Sequence, residues 1–464
     1  MNRTRNWATR ASKPLGREVE GPRYDRGFTG ERGTRARAPT MTGSLMTTPI
    51  DPISHDYPEV PASTQRLAGK RVAMVTFSAF PFDPRPRRTI AALVGEGATV
   101  DLICLGNENE NRREILSGIN VLRIPLRHPR RGKFEYAFRY AAFILISSAI
   151  FAVRSLARRY DLVYVHNMPD ILVLSSLIPK TLGAKVVLDL HDPMPELMMT
   201  IFGVPENNRS VQWMKRFEKW SIARTDLAIT VNIACKRIFS SRSCPAEKIA
   251  VVMNAPDSRI FPFRATGSEV FTRKQGDQPF VIMYHGSLVE RNGLDVAIEA
   301  LSRVREAIPS AELRIFGPST PFLERMMETA RTKNLRESVR YLGSRRLEDL
   351  VTEIDNCDLG VIPNHRNTFT EINTPTRIFE YLALGKPVIA PSTSGIQDYF
   401  SKESLLFFEP GDPGDLARQI EYAFSHPREV HETVRRAQQV FLEHTWARER
   451  ETLVGSVSGI LHRG

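Results

Sequence analysis

From Met1 to about Ser63 the chain shows neither the period of 2 of a half-buried strand nor the 3.6 of an amphipathic helix. Gly, Pro, Thr and Arg dominate there, which predicts a disordered basic tail over residues 1–65. After about Arg66 short apolar runs alternate with amphipathic stretches, as parallel α/β units require. One series of expected strands is Arg71–Ser78, Thr99–Leu105, Val121–Ile124, Leu162–His166, Val186–His191, Leu227–Val231 and Ile249–Met253. A second is Phe280–Gly286, Ala311–Gly317, Val339–Gly343, Leu359–Pro363, Pro387–Ala390 and Leu405–Phe408. Helical patterns separate them at Arg88–Glu96, Gln212–Arg224, Leu294–Ala307, Leu323–Lys333 and Pro375–Leu384.

The fold class expected is therefore α/β, with two Rossmann-like doubly wound domains facing a cleft where strand C-terminal ends meet. Asp257–Gln278 is polar, contains Pro262 and lacks periodicity, so the domains expected are 66–262, a linker at 263–278 and 279–440. Residues 441–464 form a C-terminal helix able to pack back on the first domain.

The 464 residues, 42% apolar and 25% charged, are enough for two or three domains and exclude a mini-protein. Four cysteines without C-x-x-C pairing argue against a disulfide framework and a structural zinc site, and so for a reducing cytosol. The net charge of +12 suggests nucleic-acid binding, but residues 1–40 hold 10 basic against 4 acidic residues, so half the excess lies in the tail. Interleaved aromatics and a nucleic-acid module are both lacking, and no nucleic-acid partner is expected. Met41 and Met46 are alternative starts, which leaves open whether residues 1–45 are translated.

Thr374-Pro375-Thr376-Arg377 opens a helix that closes at Gly385-Lys386-Pro387, with Thr374 expected as N-cap and Pro375 at the first helical position. Its open N–H groups and Arg377 would attract an anion, while Glu380 could accept hydrogen bonds from a ribose. A well-capped helix with a solvated glutamate is the plainer alternative. The loop Gly286-Ser287-Leu288-Val289-Glu290-Arg291-Asn292-Gly293 joins a strand to a helix, with glycines that permit close approach to a phosphate and Arg291 as a clamp.

Together these segments resemble the retaining GT-B nucleotide-sugar glycosyltransferases of family four (glycosyl transferases group 1), over nearly all of Arg66–Gly464. Gly286, Leu288 and Gly293 match that family's G-x-L…K-G loop. Glu380, Tyr381, Ala383, Gly385, Pro387 and Val388 match its E-[YA]-x-A-x-G-x-P-V helix, and Asn254 its V-x-N turn. The chain departs from the pattern in three places: Ser287 and Asn292 stand where many members carry Arg and Lys, and Ile372 stands where a glutamate is usual. Arg291 and Arg377 are then the expected substitutes, and either Glu371 or the Asn373–Thr374 backbone approaches the donor sugar.

The resemblance implies His191 and Glu380 as catalytic residues. It implies Gly286, Ser287, Arg291, Asn292, Gly293, Asn373, Thr374, Pro375 and Arg377 as further donor-binding residues. His191 matches the family's active-site histidine, although a histidine at a strand end is more often structural. Its neighbours Asp83, Arg85, His166, Asp170 and Asp192 are expected on the acceptor side, and Glu196 at the same mouth. The implied reaction moves a sugar from a nucleoside-diphosphate donor to a glycan or lipid-linked acceptor, with retention, no metal and no cofactor beyond the donor substrate. A GT-B sugar-nucleotide epimerase and a basic nucleic-acid-binding protein are the alternatives.

Tyr136–Val153 is apolar but interrupted by Arg139 and flanked by Arg127, Arg130, Arg131, Lys133, Arg154, Arg158 and Arg159. No apolar run reaches the ~18 uninterrupted residues of a span. Either a helix on an anionic membrane surface or a buried helix with a basic edge fits this pattern. A cytoplasmic enzyme, peripheral on the inner face of the plasma membrane, is the expected setting.

Overall fold

The computed structural model describes residues 65–106, 110–116, 118–126, 133–267 and 278–462. The tail at 1–64, the middle of the expected linker and Arg127, Arg130 and Arg131 lie outside the described residues.

The first sheet contains β1 (Arg71–Ala79), β2 (Thr99–Leu105), β3 (Arg113–Leu116), β4 (Ile119–Ile124), β5 (Leu162–His166), β6 (Lys185–Leu190), β7 (Leu227–Thr230) and β8 (Ile249–Val251). Its order is β3-β4-β2-β1-β5-β6-β7-β8, parallel except for the β3–β4 pair. The second sheet contains β9 (Phe280–His285), β10 (Ala311–Phe316), β11 (Val339–Tyr341), β12 (Leu359–Val361), β13 (Val388–Pro391) and β14 (Leu406–Phe408). Its order is β11-β10-β9-β12-β13-β14, parallel in every pair. The two doubly wound α/β domains of the GT-B architecture are therefore present.

Helices cover both faces of each sheet, so the central strands are continuous apolar runs, such as β5 Leu-Val-Tyr-Val-His with all five residues buried. Strand order reverses between β1 and β5 and again between β9 and β12, and such switch points open crevices at the strand C-termini. The expected strands overran here by a residue or two: β6 stops at Leu190 and β9 at His285, which frees His191 and Gly286 from the ladders. The antiparallel β3 was not foreseen. Its sequence Arg-Glu-Ile-Leu has no apolar run, because it is a short, partly exposed edge strand.

Within the expected linker, Arg264 N–H donates to Ala383 O and Thr266 N–H to Gln438 Oε1, so this stretch is held to the second domain. The helix Pro427–Glu443 packs there too, its Gln438 Nε2 donating to Leu382 O at 2.8 Å. The chain then returns to the first domain. In the helix Trp446–His462, Leu453, Val454 and Val457 are buried in the core formed with β1, β2 and β5, and Glu449 Oε2 accepts from Met253 N–H at 2.7 Å.

The apolar stretch of residues 136–153 forms the middle of a helix, Lys133–Ala157, lying on the first sheet. Phe143 and Phe151 are buried, Phe77 meets Phe143 edge-on at 5.1 Å, and Arg139 Nη2 donates to Leu126 O. The outer face carries Phe138, Leu145, Val153 and Leu156, each 68–73% exposed. By length and composition alone Ala137–Ala157 is able to cross a membrane.

Leu453→Ala removes a side chain that is 1% exposed and leaves a cavity where the C-terminal helix meets the first sheet. We expect a loss of about 2–5 kcal/mol of unfolding free energy, measured by denaturant titration.

Candidate active site

A cavity of about 320 Å³ opens between the two switch points. From the first domain His191 and Asp192 line it, together with Val231, Met253 and Asn254. From the second come Gly286, Ser287, Arg291 and Asn292 of the loop after β9, then Phe369, Thr370 and the run from Asn373 to Arg377. A second cavity of about 340 Å³ belongs to the second domain alone and holds Glu380 with Phe316, Ser344 and Arg345. Gly286, Ser287 and Arg377 line both, so they form the shared wall.

The loop after β9 is built around Gly293, whose φ of +68° suits glycine and whose Cβ would lie 1.8 Å from Pro363 O. Gly293 thus serves the packing of the turn against the segment after β12 and does not line the cavity. Asn292 Nδ2 and Tyr284 Oη–H both donate to Ser287 O at 2.7 Å, closing the loop. His365 N–H donates to Arg291 O, and the Arg291 guanidinium sits 5.9 Å from the Phe369 ring centroid. No side-chain hydrogen bond engages that guanidinium among the described residues, so its charge is available at the cavity wall.

The helix Thr376–Ala383 begins one residue later than expected. Pro375 is its N-cap, and no side chain caps it. Thr374 is drawn away: its hydroxyl donates to Gly395 O at 2.7 Å and accepts from Asn232 Nδ2 at 3.2 Å. The same amide donates to Ile372 O at 2.9 Å, so a buried asparagine of the first domain holds the backbone that precedes the helix. The uncapped first turn lines the cavity, where its N–H groups and partial positive charge favour an anion. Arg377 Nη1 donates to His285 O at 2.5 Å and stands 5.0 Å from the Tyr284 ring centroid, a fixed rather than free cation. Glu380 Oε2 accepts from His285 Nε2 at 2.6 Å, and His285 Nδ1 contacts Tyr381 Oη at 3.0 Å.

Of the two expected groups facing the donor sugar, Glu371 is turned elsewhere. It accepts from Ser394 N–H and from Arg366 Nη1, both at 3.0 Å, and Asn373 and Thr374 line the cavity in its stead.

Several residues expected on the acceptor side are structural. Asp83 caps a helix by accepting from Arg85 N–H. Arg85 is 7% exposed, its Nε and Nη2 donating to Asp189 at 2.6–3.1 Å and its Nη1 to Val252 O and Asn254 Oδ1. Each nitrogen of this guanidinium is thus engaged within the first domain, and Arg85 does not line the cavity. Asp170 is buried beneath Asn167, which donates to it at 2.9 Å. Glu196 pairs with Arg242 at 2.6 Å in a buried network that includes Glu218. His166 is wholly buried and reaches the cavity only through His191, their Nδ1 and Nε2 atoms 2.9 Å apart. Asp192 does line the cavity, and burial raises its pKa against the opposing charge of Arg291.

Asp189 was missed. Its signal was a carboxylate inside the apolar strand Val-Val-Leu-Asp-Leu, which demands a buried partner. Burial pushes its pKa up, but Arg85 and the two histidines outweigh that and hold it at about 2. Asn232, Phe369 and Thr370 were missed too, since only folding brings them to the cleft. His166, Asp189 and His191 gather three potential metal-ligand atoms within 4.8 Å. Asp189, however, is already committed to Arg85 and to Tyr164 Oη–H, and that guanidinium would repel a cation beside it.

Residues 87–259 match the model of Glycosyltransferase Family 4, and residues 269–440 match Glycosyl transferases group 1. This chain belongs to the group 1 glycosyltransferases. Among curated relatives, a glycogen synthase of Mycobacterium tuberculosis is 24% identical over 48% of this chain and 51% of its own length. A putative colanic acid biosynthesis glycosyltransferase, WcaL of Escherichia coli, is 25% identical over 44% and 48%. The chain thus spans about half the length of the curated relatives it matches. Among solved structures, the sucrose-phosphate synthase of Thermosynechococcus elongatus aligns with a TM-score of 0.68 at 16% identity, covering 85% of this chain and all of that one. Anabaena HepE in complex with UDP-glucose aligns at 0.61 and 16% identity, covering 84% and 99%. These structures share the GT-B fold of this glycosyltransferase.

Burial lowers the pKa of His191 to about 4 and of His166 to about 3, against the opposing pull of Asp189 in each case. In the unfolded chain both take a proton near pH ~6.5, so between there and about pH 4 the unfolded state binds protons that the folded state refuses. Stability contributed by these groups is lost as the pH falls. Asp170 acts oppositely: burial raises it to about 7, and its contribution fades as the pH rises toward that value. Asp192, raised by burial as well, acts in the same sense as Asp170, so the histidine contribution is read by comparing variants. We expect the melting temperature to drop less, or rise more, between pH 6.5 and 4.5 in His191→Ala than in the unaltered chain. Parallel profiles for the two chains would refute the neutral state assigned to His191.

Proposed function

We propose that the enzyme transfers a sugar, with retention, from a nucleoside-diphosphate donor to a glycan or lipid-linked acceptor in cell-surface polysaccharide or glycolipid synthesis. The observation that carries this reading is the uncapped start of the helix Thr376–Ala383 beside Arg291 and Arg377, at the wall between the interdomain cavity and the pocket of Glu380. A diphosphate at that wall would lie against N–H groups and guanidiniums, with a nucleoside on the Glu380 side and a sugar toward His191. Glu380, steadied by His285, would accept from ribose hydroxyls. The UDP-glucose complex of HepE and the polysaccharide-synthesis names of relatives such as WcaL and Erwinia amylovora AmsK favour this class of donor and pathway.

In the reaction, the bond from the anomeric carbon to the phosphate oxygen breaks, and the bond to the acceptor oxygen forms on the same face. The acceptor proton passes to the departing phosphate. Charge grows on the diphosphate, where preorganised donors lower the barrier most. Arg291, Arg377 and the helix start supply that positive charge, so the reaction proposed needs no metal. Asp192, at the cavity on the first-domain side, would orient the acceptor hydroxyl. A panel of nucleotide sugars, read by nucleoside-diphosphate release and by the anomeric configuration of the product, tests the reading. An inverted product, or loss of turnover on chelation, would overturn it.

Two variants separate the roles. Arg291→Ala should weaken binding of the free nucleoside diphosphate more than that of the free nucleoside, by calorimetry. His191→Ala should lower turnover on the order of 100-fold while leaving diphosphate affinity nearly unchanged, since its role is in the transition state. Normal turnover would remove His191 from the chemistry.

The same reading includes a cytoplasmic enzyme seated on an anionic membrane. At 100° per residue Phe138, Leu145, Val153 and Leu156 fall within about 80° of one another, an apolar stripe on the outer face of its helix. Arg158 and Arg159 stand exposed at its end, complementary to anionic headgroups. Leu145→Asp with Val153→Asp should abolish sedimentation with phosphatidylglycerol vesicles yet leave transfer to a water-soluble acceptor unchanged. Undiminished sedimentation would count against this face.

A further inference from the structure

We propose that His166 is a positioning residue that fixes His191 as the tautomer carrying its proton on Nδ1, so that His191 meets the sugar as a hydrogen-bond donor. The proposal rests on the reading that His191 faces the sugar, but the tautomer itself is a property of the ligand-free chain.

Two neutral rings sharing one contact must divide its roles: one nitrogen donates and the other accepts. Here the contact joins His166 Nδ1 to His191 Nε2 at 2.9 Å, and either direction satisfies the distance alone. Two independent observations choose between them. Asp189 Oδ2 lies 3.5 Å from His166 Nδ1 and, held by Arg85 and Tyr164, remains an ionised acceptor. A carboxylate beside that nitrogen attracts a proton on it and repels a lone pair. The other nitrogen of the ring, His166 Nε2, is buried with no hydrogen-bond partner among the described residues. If it bore the proton, a buried N–H would be left unpaired, which is rarer and costlier than an under-used lone pair. Both observations put the His166 proton on Nδ1, where it is donated to His191 Nε2.

The consequence passes to the second ring. With Nε2 occupied as acceptor, neutral His191 carries its proton on Nδ1, the one ring nitrogen left for the cavity that this residue lines. A sugar hydroxyl or ring oxygen there would meet a donor. The depressed basicity of both rings agrees with two neutral imidazoles. Arg85 and Asp189 thereby act on the substrate at a distance: the guanidinium keeps the carboxylate charged, the carboxylate orients His166, and His166 orients His191.

The test is nitrogen NMR on the ligand-free full chain with ¹⁵N-labelled histidine. The two ring nitrogens differ in shift according to which bears hydrogen, and the His166→Phe and His191→Ala variants assign the signals. The expected result is hydrogen on Nδ1 and a bare Nε2 in both residues. Hydrogen on Nε2 of either ring, an imidazolium, or two bare nitrogens would overturn the proposal. Asp189→Asn removes the ionised acceptor and offers an amide donor to His166, so the His191 proton should move to Nε2 and turnover should drop on the order of 10- to 100-fold. An unchanged tautomer in that variant would refute the role of Asp189. Should the variant fail to fold, the wild-type spectrum decides alone. A His191 that proves dispensable for turnover while showing the Nδ1 proton would instead refute the catalytic reading and leave the tautomer standing.

Discussion

The buried pair of Arg85 and Asp189 is the constraint on which the first-domain side of the cleft depends. Neither charge is tolerable alone in that interior, and removing one partner of such a pair typically costs about 3–5 kcal/mol. Arg85 comes from the helix after β1 and Asp189 from β6. Val252 and Asn254, which accept the remaining guanidinium hydrogen bonds, follow β8. Strands at the switch point and at the sheet edge are thus pinned to a single side chain. The same carboxylate accepts from Tyr164 on β5 and stands beside both histidines, so His191, which lines the cavity, shares its surroundings with a group that does not.

The second-domain side is organised by backbone. Gly293 admits Pro363 against the loop after β9, and Thr374 abandons its capping position to bond Gly395 and Asn232. That displacement leaves the helix start uncapped where the cavity lies. Among the described residues the domains meet near it through polar contacts that include Asn232 with Ile372 and Thr374, Thr200 with Asn367 and Phe369, Ile233 with Tyr399, and Arg237 with Asp398. Interfaces between domains of one chain are commonly of this polar kind.

Much of the architecture was legible in the chain itself. Fourteen strands were described and only β3 escaped notice, because an exposed edge strand has no reason to be apolar. The glycine-bounded loop after β9, the helix with Arg377 and Glu380, and the histidine at the end of β6 were readable since their chemistry is local: a turn, a helix start, a strand end. What local pattern governs, namely burial on both faces of a parallel sheet and turn residues at its exits, is written in sequence order.

Partnership was decided only by folding. Arg85 and Asp83 read as charges in an acceptor loop, yet one is paired with a carboxylate 104 residues away and the other caps its own helix. Asp170 and Glu196 read as mouth-lining acids and are buried, one beneath Asn167 and the other against Arg242. Glu371 lies one position from a family landmark and points at Ser394. A charged side chain announces its chemistry in the sequence but not its partner, because long-range electrostatic pairing depends on which strands are neighbours and where each one ends. The sequence by itself therefore determined the two-domain frame and the loop and helix start that line the cavity. The tertiary structure decided which charges face that cavity, since a charge that becomes buried must find its partner within the fold.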